Sequence, residues 1–226
     1  MEAYDFLKKR GVTRLCHFTT LKNFTHIITS SKGILSSIQL DKDVKNMNDS
    51  IRYDGKLDYI CCSIQYPNSW FLKKSKNSNI DKVFREWVVI YIDLNIIKYR
   101  NSKYCPCNAS KSKGAYISKD MNHIDSIYAE KISICPYPRT KKMLLCCPTD
   151  DQAEILIKSD IPRDYIIGIA VGNEEIAKQV YSILKIYQLK NIIIYISPDI
   201  LDTKWSNLVR NGCIPKETKY NRSEEE

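Results

Sequence analysis

Apolar residues change their spacing repeatedly along this chain, and each change predicts an element. Leu21, Phe24, Ile27 and Ile28 recur at helical intervals, so Leu21 to Ile28 predicts an amphipathic helix. Ahead of it, Val12 to Phe18 alternates as a strand does. Residues 3 to 10 predict a short helix with Lys8, Lys9 and Arg10 in its last turn and Gly11 as its stop. His17 and Thr19 thus fall at a strand-to-helix junction, where side chains and helix N-terminal amides can meet a ligand. Asp58 to Ile64 reads as a buried strand, and Trp87 to Ile92 is the clearest strand pattern, followed by a short helical turn at Asp93-Leu94. Ile155 to Ile157, Tyr165 to Val171 and Asn191 to Ile196 predict further strands, and Glu174 to Tyr187 a helix.

The polar stretches are equally informative. Leu40 to Lys56 carries Asn46, Asn48, Asp49, Arg52, Asp54 and Gly55 and predicts a long polar loop, which in a compact domain is more often functional than not. Residues 69 to 86 look helical but place Lys73, Lys74 and Lys76 in a polar loop. From Tyr99 to Pro148 periodicity fades, with helical spacing only around Ile124 to Ile132 and prolines punctuating the rest. The sum is one α+β domain over residues 1–215 with about six or seven strands, 172–215 forming a C-terminal extension of the core. The charged tail 216–226 is expected to be disordered.

Composition narrows the partners. The net charge of +9, from 35 Lys and Arg against 26 Asp and Glu, suits an anionic partner such as nucleic acid or a dinucleotide, although a solvated lysine surface would give the same number. No apolar run approaches the roughly 18 residues of a membrane span, and the N-terminus is polar and acidic. Nine cysteines without a signal peptide fit a reducing cytoplasm, most of them acting as small hydrophobes. Cys105-Pro106-Cys107 and Cys146-Cys147 lack the C-x₂-C spacing of a zinc knuckle, so no metal is expected.

Glycine-rich phosphate cradles, a nucleophile elbow and the H-E-x-x-H zinc motif are all missing from the sequence. A Cys-His nucleophile pair using His17 or His123 has no local support. What remains is His17-Phe18-Thr19, Arg52 in its Asn-Asp loop, Ser63 at a strand end, and Glu154 between the acidic pair Asp150-Asp151 and an aliphatic run. An imidazole and hydroxyls can hold a ribose or an amide, and a guanidinium can neutralise phosphate. A carboxylate can accept from a ribose hydroxyl and stabilise positive charge at an anomeric carbon. The plainer reading makes Glu154 an edge-strand residue facing water, His17 a core histidine and Arg52 a surface cation.

Six motifs in one order carry a resemblance. They are His17-x-Thr19-x-x-x-Asn23, Asn48-Asp49-x-x-Arg52-x-Asp54, Ser63-Ile64-x-x-Pro67-Asn68, Trp87-Val88-x-x-x-x-Asp93, Cys105-Pro106-x-Asn108-Ala109 and Gln152-Ala153-Glu154-x-Leu156. Over about residues 14–171 the chain resembles the DarT toxins, the DNA ADP-ribosyltransferases of DarTG toxin–antitoxin systems. Its Asn-Asp-x-x-Arg and Cys-Pro-x-Asn-Ala stretches look closer to the guanine-modifying branch than to the thymidine-modifying one. The cysteine-rich middle and the acidic Thr149-Asp150-Asp151 depart from the family pattern.

The resemblance implies an ADP-ribosyltransferase fold, a split, mainly antiparallel β-sheet flanked by helices and gripping NAD as co-substrate. It implies Glu154 as the catalytic glutamate and Arg52 near the reacting centre. It places His17, Thr19, Asn23 and Ser63 on the cofactor, and adds an antitoxin partner bearing a macrodomain. Lys73, Lys74 and Lys76 are expected to contact DNA phosphates on charge alone. The target is expected to be a base in single-stranded DNA, with RNA or protein as alternatives. A basic nucleic-acid-binding module without catalysis is the reading from a different class.

Overall fold

The computed structural model describes residues 2–40, 53–77 and 86–221. Ten strands are described: β1 (Arg14–Thr20), β2 (Ile34–Leu35), β3 (Tyr59–Ile64), β4 (Trp87–Asp93), β5 (Ser102–Cys105), β6 (Glu154–Lys158), β7 (Asp160–Ile161), β8 (Ile166–Val171), β9 (Ile193–Ile196) and β10 (Thr218–Lys219). The helices are α1 (Ala3–Lys9), α2 (Leu21–Thr29), α3 (Ser69–Asn77), α4 (Ile96–Tyr99), α5 (Glu174–Ile186) and α6 (Lys204–Arg210). Eight strands form one sheet in the order β10-β9-β8-β4-β1-β3-β6-β5, and β2 pairs with β7 in a separate small ribbon. Among the described residues only β8 and β9 pair in parallel, and α5 supplies the crossover that a parallel pair requires.

Period-2 alternation divides the core into two layers. On one face, Leu15, Ile90, Ile155 and Ile169 pack with Leu7 of α1, Phe24 and Ile28 of α2, and Val180 and Leu184 of α5. On the other, Phe18, Val89, Tyr91 and Ala170 pack with Leu72 of α3 and with Trp205 and Val209 of α6. Strand β4 is buried along its length up to Asp93, which explains why its sequence is continuously apolar rather than alternating. Each fully buried Phe or Ile on α2 contributes about 1.5–3 kcal/mol. Helix α2 starts where Thr20 accepts from the Asn23 amide at 3.3 Å, an N-cap that fixes the strand-to-helix corner.

One pairing defect creates the site. β1 pairs with β4 over seven residues, from Arg14↔Asp93 to Thr20↔Trp87. Against β3 it pairs only at Leu15↔Ile64 and Cys16↔Ser63. Beyond Cys16 the two strands part, and the sheet splits at His17. The small ribbon closes one side of the gap. Gly33 permits its close approach: it has φ +65°, and a Cβ there would sit 2.2 Å from the Ile161 carbonyl oxygen.

Several expectations change. Lys73, Lys74 and Lys76 lie on α3 rather than in a loop. Ser102–Cys105 is a strand, and helical spacing near Ile124 becomes a 3₁₀ helix over Met121–Tyr128. Residues 216–221, expected to be disordered, include β10, where Thr218 pairs with Ile196 and Lys219 with Tyr195. Residues 41–52, and with them Asn46, Asn48, Asp49 and Arg52, lie outside the described residues. Among the described residues no helix is long and apolar enough to cross a membrane.

Candidate active site

The gap between β1 and β3 opens into a cavity of about 630 Å³, within the size range of cofactor sites. Because the strands have separated there, consecutive residues Cys16, His17, Phe18 and Thr19 all line it. Asn23, Ser63, Lys74 and Glu154 line it as well. The structure therefore brings together His17, Thr19, Asn23, Ser63, Lys74 and Glu154 from the sequence-derived set.

Glu154 is not on an edge strand. It opens β6, between β3 and β5, opposite Ser63 on one side and Cys105 on the other. Only 6% of it is exposed, so the water-facing reading fails. Directly opposed residues share a face, and Cys16, Ser63, Glu154 and Cys105 form one row across four strands. The Ala109 amide donates to Glu154 Oε2 at 2.7 Å, a charge-assisted bond of the strong kind. Asn108 shapes that loop, its Oδ1 accepting from the Ser110 amide at 3.1 Å.

The thiols around Glu154 are held neutral. Burial pushes Cys62 well up and Cys16 to about 12. The Cys105 thiol is raised by its hydrogen bond with Cys107 and then by burial. Thiolate is the nucleophilic form, so burial works against Cys16 as a nucleophile, and the ring nitrogen Nδ1 of His17 is turned to the Cys61 carbonyl. His123 is exposed on its 3₁₀ helix and does not line the cavity.

His17 Nδ1 lies 3.2 Å from the Cys61 carbonyl. A carbonyl only accepts, so Nδ1 carries the proton donated to it. Ser63 Oγ accepts from the Asn68 amide at 2.8 Å, which ties the start of α3 to the strand beside Glu154. Thr19 is 3% exposed, its position fixed by β4 pairing at Val88. The donor and acceptor set suits a ribose, an amide and a phosphate group, as NAD carries. Lys76 is placed differently: its ammonium donates to the Leu201 carbonyl at 2.7 Å, and it does not line the cavity. Lys73 is exposed on α3.

Sequence reasoning missed three features. Asp54 is buried and lines the cavity, and its place in the Asn-Asp-x-x-Arg-x-Asp pattern was the available signal. The Ala109 amide has no side-chain signature. Asp150 and Asp151 were read only as an acidic departure. Asp150 Oδ1 accepts from the Gln152 amide at 2.9 Å, and burial raises its pKa. Asp151 Oδ2 accepts from the Trp70 indole at 3.0 Å and from the Ser206 hydroxyl. The acidic pair thus braces the turn that delivers Glu154. Among the described residues no group of three His, Cys, Asp or Glu side chains is arranged to hold a metal ion.

Comparison with solved structures gives the same fold at low sequence identity. Thermus sp. 2.9 DarT in complex with ADP-ribosylated ssDNA is similar with a TM-score of 0.63 and 18% identity, covering 84% of this chain and 96% of that one. The NAD+ complex of the same Thermus protein gives 0.62 and 17%, covering 83% and 96%. Thermosipho africanus DarTG in complex with ADP-ribose gives 0.56 and 16%, covering 84% of this chain and 51% of that one. No curated protein sequence matches. The family model described as ssDNA thymidine ADP-ribosyltransferase, DarT, matches residues 16–202, and with most of its length so matched this chain belongs to the DarT family of NAD-dependent ADP-ribosyltransferases.

Proposed function

We propose that this chain is a toxin that transfers ADP-ribose from NAD to a base in single-stranded DNA. The observation that carries the reading is the buried Glu154, held by the Ala109 amide in the same cavity as His17, Thr19, Asn23 and Ser63. A nucleic-acid-binding module without catalysis gives no reason to desolvate a carboxylate at a cavity wall, where burying the charge is costly.

In the proposed reaction the bond between nicotinamide and the ribose anomeric carbon breaks, and nicotinamide leaves with the bonding pair. Positive charge develops on the ribose. Glu154 accepts from the ribose 2′-hydroxyl and stabilises that charge. The base nitrogen or oxygen attacks the same carbon, and its proton passes to Glu154 and then to water. His17, Thr19, Asn23 and Ser63 bind NAD. Arg52 is assigned to the reacting centre from its motif. An unpaired base is required because stacking and pairing hide its reactive edge. Lys73 and Lys74 are the proposed phosphate contacts.

Guanine is favoured by the resemblance of the Asn48-Asp49-x-x-Arg52 and Cys105-Pro106-x-Asn108-Ala109 stretches to the guanine-modifying branch. Thymine is favoured by the description of the matching family model. Such an activity would poison the cell whose DNA it meets in the cytoplasm, so an antitoxin with a macrodomain that removes the modification is the expected partner. Incubation with labelled NAD and oligonucleotides that differ at one base, followed by mass spectrometry, tests activity and base choice together. Label on RNA or on protein alone would contradict the DNA reading.

A further inference from the structure

The cavity has an aromatic wall that the reaction outlined above does not use. Trp70 lies in the first turn of α3 and lines the cavity. It is 51% exposed, whereas the other two tryptophans, Trp87 and Trp205, are 8% and 1% exposed. A half-exposed indole at a cavity wall presents a large flat ring on which another ring can stack.

Its position is fixed from two sides, and both lead back to Glu154. The indole N–H donates to Asp151 Oδ2 at 3.0 Å, and Asp151 lies three residues before Glu154 in the braced turn. Asn68 precedes the first residue of α3, and its Oδ1 accepts from the Phe71 amide at 3.0 Å. The Asn68 amide in turn donates to Ser63 Oγ, and Ser63 is the cross-strand neighbour of Glu154. The indole edge is therefore held while its ring lines the opening. Lys73 and Lys74 follow at i+3 and i+4, on the same side of the helix as Trp70. An aromatic ring with cations one turn along is the arrangement that takes a base on its face and the following phosphates on its ammonium groups.

We propose that Trp70 is the stacking platform for a base of the substrate DNA strand, oriented by Asp151 and set against the reacting centre. This rests on the reading of the chain as an ADP-ribosyltransferase acting on single-stranded DNA. Trp70 forms no bond to the reacting atoms; it lowers the free energy of the bound strand and fixes the base plane relative to Glu154.

The test uses the full chain and a short single-stranded oligonucleotide containing all four bases. In a Glu154→Gln background, which binds without turnover, adding the oligonucleotide quenches tryptophan emission, and Trp70→Phe in that background abolishes the quench. In the active protein, Trp70→Ala raises KM for the oligonucleotide about ten-fold, as loss of one base–aromatic stack does, and leaves KM for NAD within about two-fold. Trp70→Phe, which keeps a smaller ring, falls between the two and controls for any loss of folding in the alanine variant. Unchanged KM for DNA in a folded Trp70→Ala protein overturns the proposal, as does a quench that persists in Trp70→Phe. A rise in KM for NAD alone overturns it too and moves Trp70 to the nicotinamide side. If the unsubstituted chain modifies DNA while Trp70→Ala matches it, only this inference falls. If the unsubstituted chain neither binds nor labels single-stranded DNA, the functional reading falls with it.

Discussion

The amide of Ala109 and the carboxylate of Glu154 are joined by a 2.7 Å hydrogen bond between the loop after β5 and the first residue of β6. Register alone brings Cys105 opposite Glu154, and the chain then turns through Pro106 and Asn108 to return an N–H to the carboxylate. The bond fixes Oε2 of the carboxylate against the loop that follows β5.

Removing that donor is expected to disturb catalysis more than stability. A hydrogen bond to a charged group contributes about 1.5–3 kcal/mol, so Ala109→Pro, which lacks an N–H, should lower kcat by about ten-fold to a hundred-fold. Ala109→Gly keeps the donor and should stay within about three-fold of the parent. Steady-state kinetics on both variants, with thermal melts as the folding control, checks the expectation. Equal kcat in the two would separate the bond from catalysis.

A second expectation concerns the C-terminal strand. Glu217 accepts from Arg14 Nη2 at 2.8 Å and from the Tyr91 hydroxyl, and the Arg14 guanidinium lies 3.7 Å from the Tyr91 ring centre. Arg14 and Glu217 are 10% and 17% exposed. Glu217→Ala leaves a buried guanidinium unpaired and should cost about 3 kcal/mol, a fall in melting temperature of about 6–12 °C. Replacing both partners, Arg14→Met with Glu217→Leu, should recover most of the loss. Differential scanning calorimetry decides; an unchanged melting temperature in Glu217→Ala would show that the Arg14–Glu217 pair adds nothing to stability.

The third involves the adjacent thiols. Cys146 and Cys147 have their sulfurs 3.9 Å apart. The hydrogen bond with Cys147 lowers the Cys146 thiol to about 7 against the opposing effect of burial, and the Arg139 guanidinium helps. Cys147 is pushed up by the same bond and by burial. Thiolate is the reacting form, so alkylation of Cys146 by iodoacetamide should rise through neutral pH and level off above about pH 8. Peptide mapping separates it from exposed Cys213. A Cys146 rate still climbing steeply at about pH 9 would contradict the assignment.

How much of this was legible in the sequence depends on the range of each interaction. Trp87–Ile92 and Leu21–Ile28 declared themselves because burial on two faces or one leaves a local periodic trace. Glu154 was visible because a carboxylate at the head of an aliphatic strand conflicts with burial. Ser102–Cys105 escaped because a four-residue edge strand containing Ser and Lys does not alternate. Lys216 to Tyr220 looked like a solvated tail, yet its Glu217 pairs with an arginine 203 positions away, which no local pattern reports. The Ala109 bond is made by backbone, and the Trp70–Asp151 bond spans 81 positions. The chemistry of the site was legible where side chains carry it, and hidden where the fold brings distant backbone and loops to it.

The most direct test of the account replaces Glu154 by Gln, which keeps an oxygen for the Ala109 amide and removes the charge. Transfer of labelled ADP-ribose from NAD to single-stranded DNA should fall at least about a hundred-fold, with NAD affinity within about three-fold and the melting temperature unchanged. Transfer by the Glu154→Gln protein at the rate of the unsubstituted chain would contradict the assignment of Glu154 as the catalytic carboxylate.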